Sequence, residues 1–240
     1  MLNIVLLGIT SLLTDISSEM VYPVLPVFLV ITLGASPAVL GLIEGVAESL
    51  ASLLKVFSGY FSDRLRIRKP FTILGYSASA AGKLFLYFAS SWWTVLAGRS
   101  IDRLGKGVRT APRDAIIADS AAEGSRGAAF GLHRAMDTLG ASLGVLLAYF
   151  LVSRYAGDLR PIFLFSLIPA VLGVLFLFFV REKNTLPQAR RERPRLSWRS
   201  LDKRLKLFLV FTFLFTLGNS SNQFLLLRAK NLGCGVAQVI

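Results

Sequence analysis

Seven stretches of this chain are each long and apolar enough to form a helix across a lipid bilayer, and that recurrence limits the possible folds more than any other feature. They run over about 2–33, 37–62, 70–90, 92–118, 127–153, 161–180 and 206–229. A hydrocarbon core about 30 Å thick needs about 20 residues of helix, because each residue rises only about 1.5 Å. The expected fold class is therefore all-α, a multi-pass transmembrane helical bundle. Composition agrees: 17% of the 240 residues are charged and 54% hydrophobic, whereas soluble domains carry about a quarter charged residues. Met1-Leu2-Asn3 lacks a basic leader, and the apolar run behind it holds Asp15 and Glu19. That start is expected to stay attached as a membrane helix rather than be cleaved as a signal peptide.

A net charge of +13 would suit a nucleic-acid binder if the basic residues formed one surface. They do not. Ten of the 27 Lys and Arg lie between Arg181 and Lys206, and Arg64, Arg66, Arg68 and Lys69 fill a second short loop. Loops of this kind lie on the cytoplasmic side of membrane proteins, so the partner expected is the lipid bilayer and not nucleic acid. The same bias places the amino terminus in the cytoplasm, in the cell membrane, with turns at Gly34 to Pro37, at Ser90-Ser91 and at Gly157-Asp158. The single cysteine, Cys234, excludes an internal disulfide and a thiolate metal cluster. No nucleophile, base and orienting group occur together at a recognisable spacing, so no catalytic residue, metal or cofactor is expected, and the chain does not read as an enzyme.

The fourth segment holds Arg99, Asp102, Arg103, Lys106, Arg109, Arg113 and Asp114. At roughly 3 kcal/mol per central charge, its five middle charges would cost about 15 kcal/mol if they faced lipid. Parity still requires it to cross, since otherwise every later segment inverts and the ten-charge loop moves outside. It is expected to be buried in the bundle, beside a wet cavity or paired with acids. Two charged segments followed by a nearly uncharged one occurs twice in the first six, which suits a three-plus-three repeat whose third members face lipid. Asn219-Ser220-Ser221-Asn222 in the seventh segment echoes Ile16-Ser17-Ser18-Glu19 in the first.

Asp15 and Glu19 are four residues apart, as are Glu44 and Glu48, so each pair projects from one helical face. Arg99, Arg103 and Lys106 form a stripe on the fourth segment, with Asp102, Lys106 and Arg109 beside it. One reading lines a central cavity with these residues and Asp137, in which a buried carboxylate facing a movable cation binds and releases protons. The other makes them static salt bridges that hold the bundle together. His133, the only histidine, suits either a proton relay or a satisfied helix interface. Pro23 and Pro26 should bend the first helix.

Gly59-Tyr60-Phe61-Ser62-Asp63-Arg64-Leu65-Arg66-Ile67-Arg68-Lys69 resembles the signature loop of the major facilitator superfamily, Gly-x-x-x-Asp-Arg-x-Gly-Arg-Arg/Lys. Gly59, Asp63, Arg64, Arg68 and Lys69 match, while Arg66 stands where the family has its second Gly and Ile67 where it has the next Arg. Arg99 and Gly105 are similar to part of the family's Arg-x-x-x-Gly-x-Gly motif, which is associated with proton transfer, with Arg103 in place of the first Gly. Gly140-Ala141-Ser142-Leu143-Gly144 resembles the start of its exporter motif, with Val145 in place of Pro; close packing through small residues would give the same spacing.

The resemblance implies two six-helix halves with the solute between them, and a loop at Asp63 and Arg64 that locks the halves at the cytoplasmic face. The chain is then expected to hold a six-helix half over 1–180, a basic linker over 181–205, and over 206–240 the first helix of a second half, the rest of that carboxy-terminal half being missing. The function implied is secondary active transport of a small solute, an unidentified small molecule, by alternating access. Proton-coupled efflux is expected, with the proton gradient as energy source. A non-transporting fragment or scaffold, or an importer of the same family, is the alternative.

Overall fold

The computed structural model describes residues 1–155, 158–182 and 201–239. Helix α1 (Leu2–Val21) passes through a turn into α2 (Leu25–Val27) and a wide π turn at Phe28–Thr32, and α3 (Pro37–Leu65), α4 (Lys69–Tyr87), α5 (Trp92–Ser120), α6 (Arg126–Arg154) and α7 (Arg160–Phe178) follow. Then come α8 (Lys203–Leu217), α9 (Asn222–Asn231) and the short α10 (Val236–Val239). Among the described residues there is no strand. The first six expected segments thus appear within a few residues of their expected limits. Gly157 and most of the expected basic linker, 183–200, lie outside the described residues.

At Pro23 and Pro26, where a bend is expected, the regular α-helix is interrupted between Val21 and Leu25. Neither ring nitrogen can donate to the helical ladder, and the chain resumes with the wider spacing of a π turn, closed by Leu33 N–H on the Phe28 carbonyl at 3.1 Å.

The seventh segment differs from expectation, because it is two helices rather than one over 206–229. It stops at Gly218, and α9 restarts with the Ser221 hydroxyl accepting a bond from the backbone N–H of Gln223 at 3.3 Å. Between them Asn219 and Ser220 have side chains that compete for the backbone groups a helix would use. α8 buries no residue.

Two ends of the bundle are fixed by side chains. At the end holding the amino terminus, Asn3 donates to Ser120 Oγ at 3.1 Å and to the Arg181 carbonyl at 2.7 Å. This gathers the start of α1 with the ends of α5 and α7. At the opposite end Arg160 donates to the Ala89 carbonyl at 3.1 Å, joining the α4–α5 and α6–α7 turns. Six crossings with this parity place the 66–68 loop and residues 179–182 at the same end as the amino terminus.

α5 packs along α3 and α4, and α1 packs along α6 and α7, with α4 against α7. Exchanging α1, α3, α4 for α5, α6, α7 maps these pairings onto one another, which is the three-plus-three repeat. The third members α4 and α7 expose Leu74, Leu84, Leu172 and Leu175 on one side. They are not wholly given over to lipid, however, since the inner face of α4 carries the buried Lys83.

Close approach depends on glycines. A Cβ on Gly82 would lie 2.6 Å from the Gly98 carbonyl oxygen, and one on Gly144 would lie 2.6 Å from the Ile16 carbonyl oxygen. Two apolar layers close the bundle, one around Phe28 and Phe163 and one around Leu7, Tyr76 and Ile117. By length and hydropathy alone three helices qualify as membrane spans, Leu2–Thr32, Arg126–Arg154 and Arg160–Phe178. α3 and α5 carry many charges, of which Glu44, Arg99, Asp102 and Arg109 are buried.

Candidate functional site

Between the two apolar layers, α1 and α5 face each other across a narrow polar recess of about 40 Å³. From α1 come Asp15, Ser18, Glu19 and Tyr22, and from α5 come Arg99, Asp102, Arg103, Lys106 and Arg109. The α1 set is spaced i, i+3, i+4, i+7, which is one face of a helix. Both basic stripes expected on the fourth segment reach this recess.

The charges sort into two groups. In the first, opposite charges meet directly. Arg99 bonds Glu44 Oε1 through Nη2 at 2.7 Å and Nε at 3.0 Å. Asp102 lies 3.5 Å from Arg99 Nη1 and 3.7 Å from Lys83 Nζ. Arg103 Nη2 reaches Glu48 Oε1 at 3.0 Å. Buried charges need such partners, because the loss of hydration is large and only short, well-aligned pairs offset it.

The second group is unpaired. Among the described residues, Asp15, Glu19 and Lys106 make no ion pair or side-chain hydrogen bond. Arg109 meets no carboxylate: Nη1 donates to Ser79 Oγ at 2.6 Å, and the guanidinium lies 4.2 Å from the centre of the Tyr76 ring. The recess therefore has unpaired carboxylates on its α1 wall and, on its α5 wall, the unpaired Lys106 beside an Arg109 held by Ser79 and Tyr76.

The other candidates lie outside this recess. Glu44 and Glu48 sit behind it on α3 and line a separate, open space of about 540 Å³ with Tyr22 and the Asn219 to Asn222 break. Asp137 is on α6, where its Oδ2 is 3.4 Å from His133 Nδ1. His133 is buried at a helix interface, with Nε2 unbonded among the described residues. Lys83, Ser18 and Tyr22 were not candidates in the sequence. Lys83 stood alone in an uncharged segment, whereas Ser18 and Tyr22 were detectable as members of the Asp15 stripe.

At the amino-terminal end, Arg68 bonds Asp119 at the end of α5 and lies 3.4 Å from Asp63 Oδ1 at the end of α3. Glu182 accepts the backbone N–H groups of Arg68 at 2.7 Å and Lys69 at 3.2 Å, and Lys69 Nζ donates to the Phe178 carbonyl at 2.8 Å. Arg64 donates to the Tyr60 hydroxyl at 3.4 Å. Gly59 lets α3 approach α5, since a Cβ there would lie 3.2 Å from that of Ala111.

The family model described as Major Facilitator Superfamily matches residues 7–239. The chain belongs to the major facilitator superfamily. It is 40% identical to an uncharacterised MFS-type transporter of Methanocaldococcus jannaschii over 228 residues, which are 95% of this chain and 56% of that protein. It is 27% identical to the inner membrane transport protein YajR of Escherichia coli over 78% of this chain and 40% of that one. The fold is similar to a bacterial homolog of the human lysosomal transporter Spinster in its inward-facing, occupied conformation. That match has a TM-score of 0.73 and 19% identity, and it covers 98% of this chain and 55% of the other. The chain spans about half the length of the curated relatives it matches.

Within this superfamily framework two departures gain an explanation. Arg66, standing at the family's glycine, adopts φ 58 and ψ 30 and is the only described non-glycine residue with positive φ. The tight turn that ends α3 is therefore kept at some steric cost. Gly140 and Gly144, the exporter-like pair, both press against α1 backbone at Leu12 and Ile16. Close packing accounts for their spacing.

Proposed function

We propose that the chain forms one half of a secondary transporter that moves a small solute by alternating access and couples it to protons at Asp15 and Glu19. The observation that carries this is the division of the α5 charges. Glu44 and Asp102 are held in buried ion pairs and Glu48 in a half-exposed one, and Asp15 and Glu19 are the recess carboxylates left free to change partner.

A carboxylate in a partly dry recess is stabilised as an anion when a cation approaches and as an acid when it withdraws. Lys106 and Arg109 supply cations on the facing helix. Rocking of one helix set against another changes these separations and opens the recess to alternate sides. The ties of Arg68 to Asp63 and Asp119 would hold the amino-terminal end closed in one of the two states, which makes that end the gate. The amino terminus is assigned to the cytoplasm from the basic loops. Efflux is supported by relatives named multidrug resistance proteins, such as that of Edwardsiella ictaluri, 28% identical over 60% of this chain.

The test is solute flux by the intact gene product in proteoliposomes, with and without an imposed pH gradient. Gradient-dependent flux accompanied by proton movement supports the reading. Flux that ignores the gradient, or its absence altogether, rejects it in favour of an uncoupled carrier or a scaffold.

A further inference from the structure

We infer that protons travel between Asp15 and the water at the amino-terminal end of the bundle through Asp137 and His133, a relay on the face of α6 that packs against α1. The inference rests on the proton-coupled reading above and adds the route, which lies outside the recess and runs past the apolar layer around Leu7, Tyr76 and Ile117.

His133 and Asp137 continue the helical stripe of α6 that holds the buried Ala129, Gly140 and Gly144. The glycine contacts fix its depth. Gly8 packs on Met136, Gly140 on Leu12 and Gly144 on Ile16, so α1 and α6 run side by side in the same direction. Ala129 belongs to the apolar layer at the amino-terminal end, His133 is one turn further in, and Asp137 one turn beyond that. Asp15 follows about 9 Å past Asp137 along the axis, the rise of about six residues. Asp137 is near enough for its charge to act on Asp15. The pair thus bridges the depth between the end of the bundle and the recess.

The pair is open at both ends. His133 Nδ1 and Asp137 Oδ2 are 3.4 Å apart, while His133 Nε2 and Asp137 Oδ1 are buried and have no hydrogen-bond partner among the described residues. A histidine serving only to join two helices would spend Nε2 on its neighbour; a buried polar atom with no protein partner is instead a place for water. The other charges acting at His133 are those of Arg113 and Asp114 on α5 and of Arg134 on its own helix, and Arg113 is bound to Asp114. The recess of about 40 Å³ has room for about three waters, which suits the passage of a proton. In the release direction Asp15 gives its proton to water, that water gives one to Asp137, and Asp137 gives one to the lone pair of His133 Nδ1. The imidazolium then loses the proton on Nε2 to water at the amino-terminal end. Asp137 ends as the carboxylate and His133 as the neutral ring, whose flip restores the first tautomer. Uptake runs the same steps backwards.

The experiment uses the proton itself as the probe, on the intact gene product in detergent. After a rapid rise in pH, time-resolved infrared spectroscopy follows the protonated-carboxyl band that Asp15→Asn removes. Its decay should slow by at least about tenfold in both His133→Gln and Asp137→Asn, with unchanged starting amplitude, where a positioned proton-transfer group contributes about 100- to 10,000-fold. Glutamine keeps hydrogen-bonding groups at position 133 and cannot titrate, so a role in packing alone would leave the rate where it was. Should one variant not fold, the other decides. Decay at the parent rate, or loss of the band itself, in a folded variant overturns the relay and leaves Asp15 as the proton carrier of the parent. A parent with no band that Asp15→Asn removes overturns the proton-coupled reading, and the relay with it.

Discussion

Arg99 sets two of its nitrogens, Nε at 3.0 Å and Nη2 at 2.7 Å, on a single oxygen of Glu44. The two side chains are 4% and 6% exposed, so the pair ties α5 to α3 in a region that water barely reaches. Breaking such a pair is costlier than omitting it, because one charge stays behind without its partner. Glu44→Gln should destabilise the protein by about 3 kcal/mol. The double change Glu44→Met with Arg99→Leu should recover most of that loss. Chemical denaturation in detergent checks both. A Glu44→Gln protein as stable as the parent would show that the pair is not structural.

Arg66 offers the opposite case, a residue whose replacement should help. Its left-handed backbone at the end of α3 costs a non-glycine residue about 1 kcal/mol. Its side chain makes no ion pair among the described residues. Arg66→Gly should therefore raise the midpoint of thermal unfolding by a few degrees, whereas Arg66→Val, branched at Cβ, should lower it.

The α4–α5 contact predicts a sharp contrast between two glycines. A methyl group at Gly82 would lie 2.6 Å from the Gly98 carbonyl and 2.8 Å from the Asp102 nitrogen, while one at Gly45 meets nothing within 4 Å. Gly82→Ala should cost about 1–3 kcal/mol by forcing the helices apart and should disturb the Lys83–Asp102 pair. Gly45→Ala should be neutral or gain up to about 1 kcal/mol from helix propensity. Unfolding curves of the two variants decide the matter.

At the amino-terminal end, Arg68 links the ends of α3 and α5 through Asp63 and Asp119. If these ties hold a gate shut, Asp119→Asn should increase labelling of a cysteine placed at Ser62, which is 1% exposed. The prediction is a several-fold faster reaction with a membrane-impermeant maleimide. An unchanged rate would assign Arg68 a static role.

The sequence revealed the helix order and the burial of α5 because lipid allows few alternatives: segments of the right length must cross, and a charged one must be shielded. The α1 acids were visible from their four-residue spacing. Partner choice was not visible. That Glu44 meets Arg99, or that Lys83 reaches across from α4 to Asp102, depends on helix rotation, which glycine contacts such as Gly82 on Gly98 set through the third dimension. The break at Gly218 to Ser221 was missed for a related reason. Asn219 and Ser220 are compatible with either a membrane helix or a cap, and Ser221 becomes a cap only where the chain turns.

In the proposed mechanism Asp15 and Glu19 exchange protons, while Glu48 is held by Arg103. The most direct test compares Asp15→Asn, Glu19→Gln and Glu48→Gln in the intact gene product, measuring pH-gradient-driven flux and solute counterflow on the same proteoliposomes. Asp15→Asn and Glu19→Gln should lose gradient-driven flux by at least about tenfold, the scale of removing one group essential to proton transfer, while counterflow survives; Glu48→Gln should keep both. Gradient-driven flux that persists in both α1 variants would contradict proton exchange at Asp15 and Glu19.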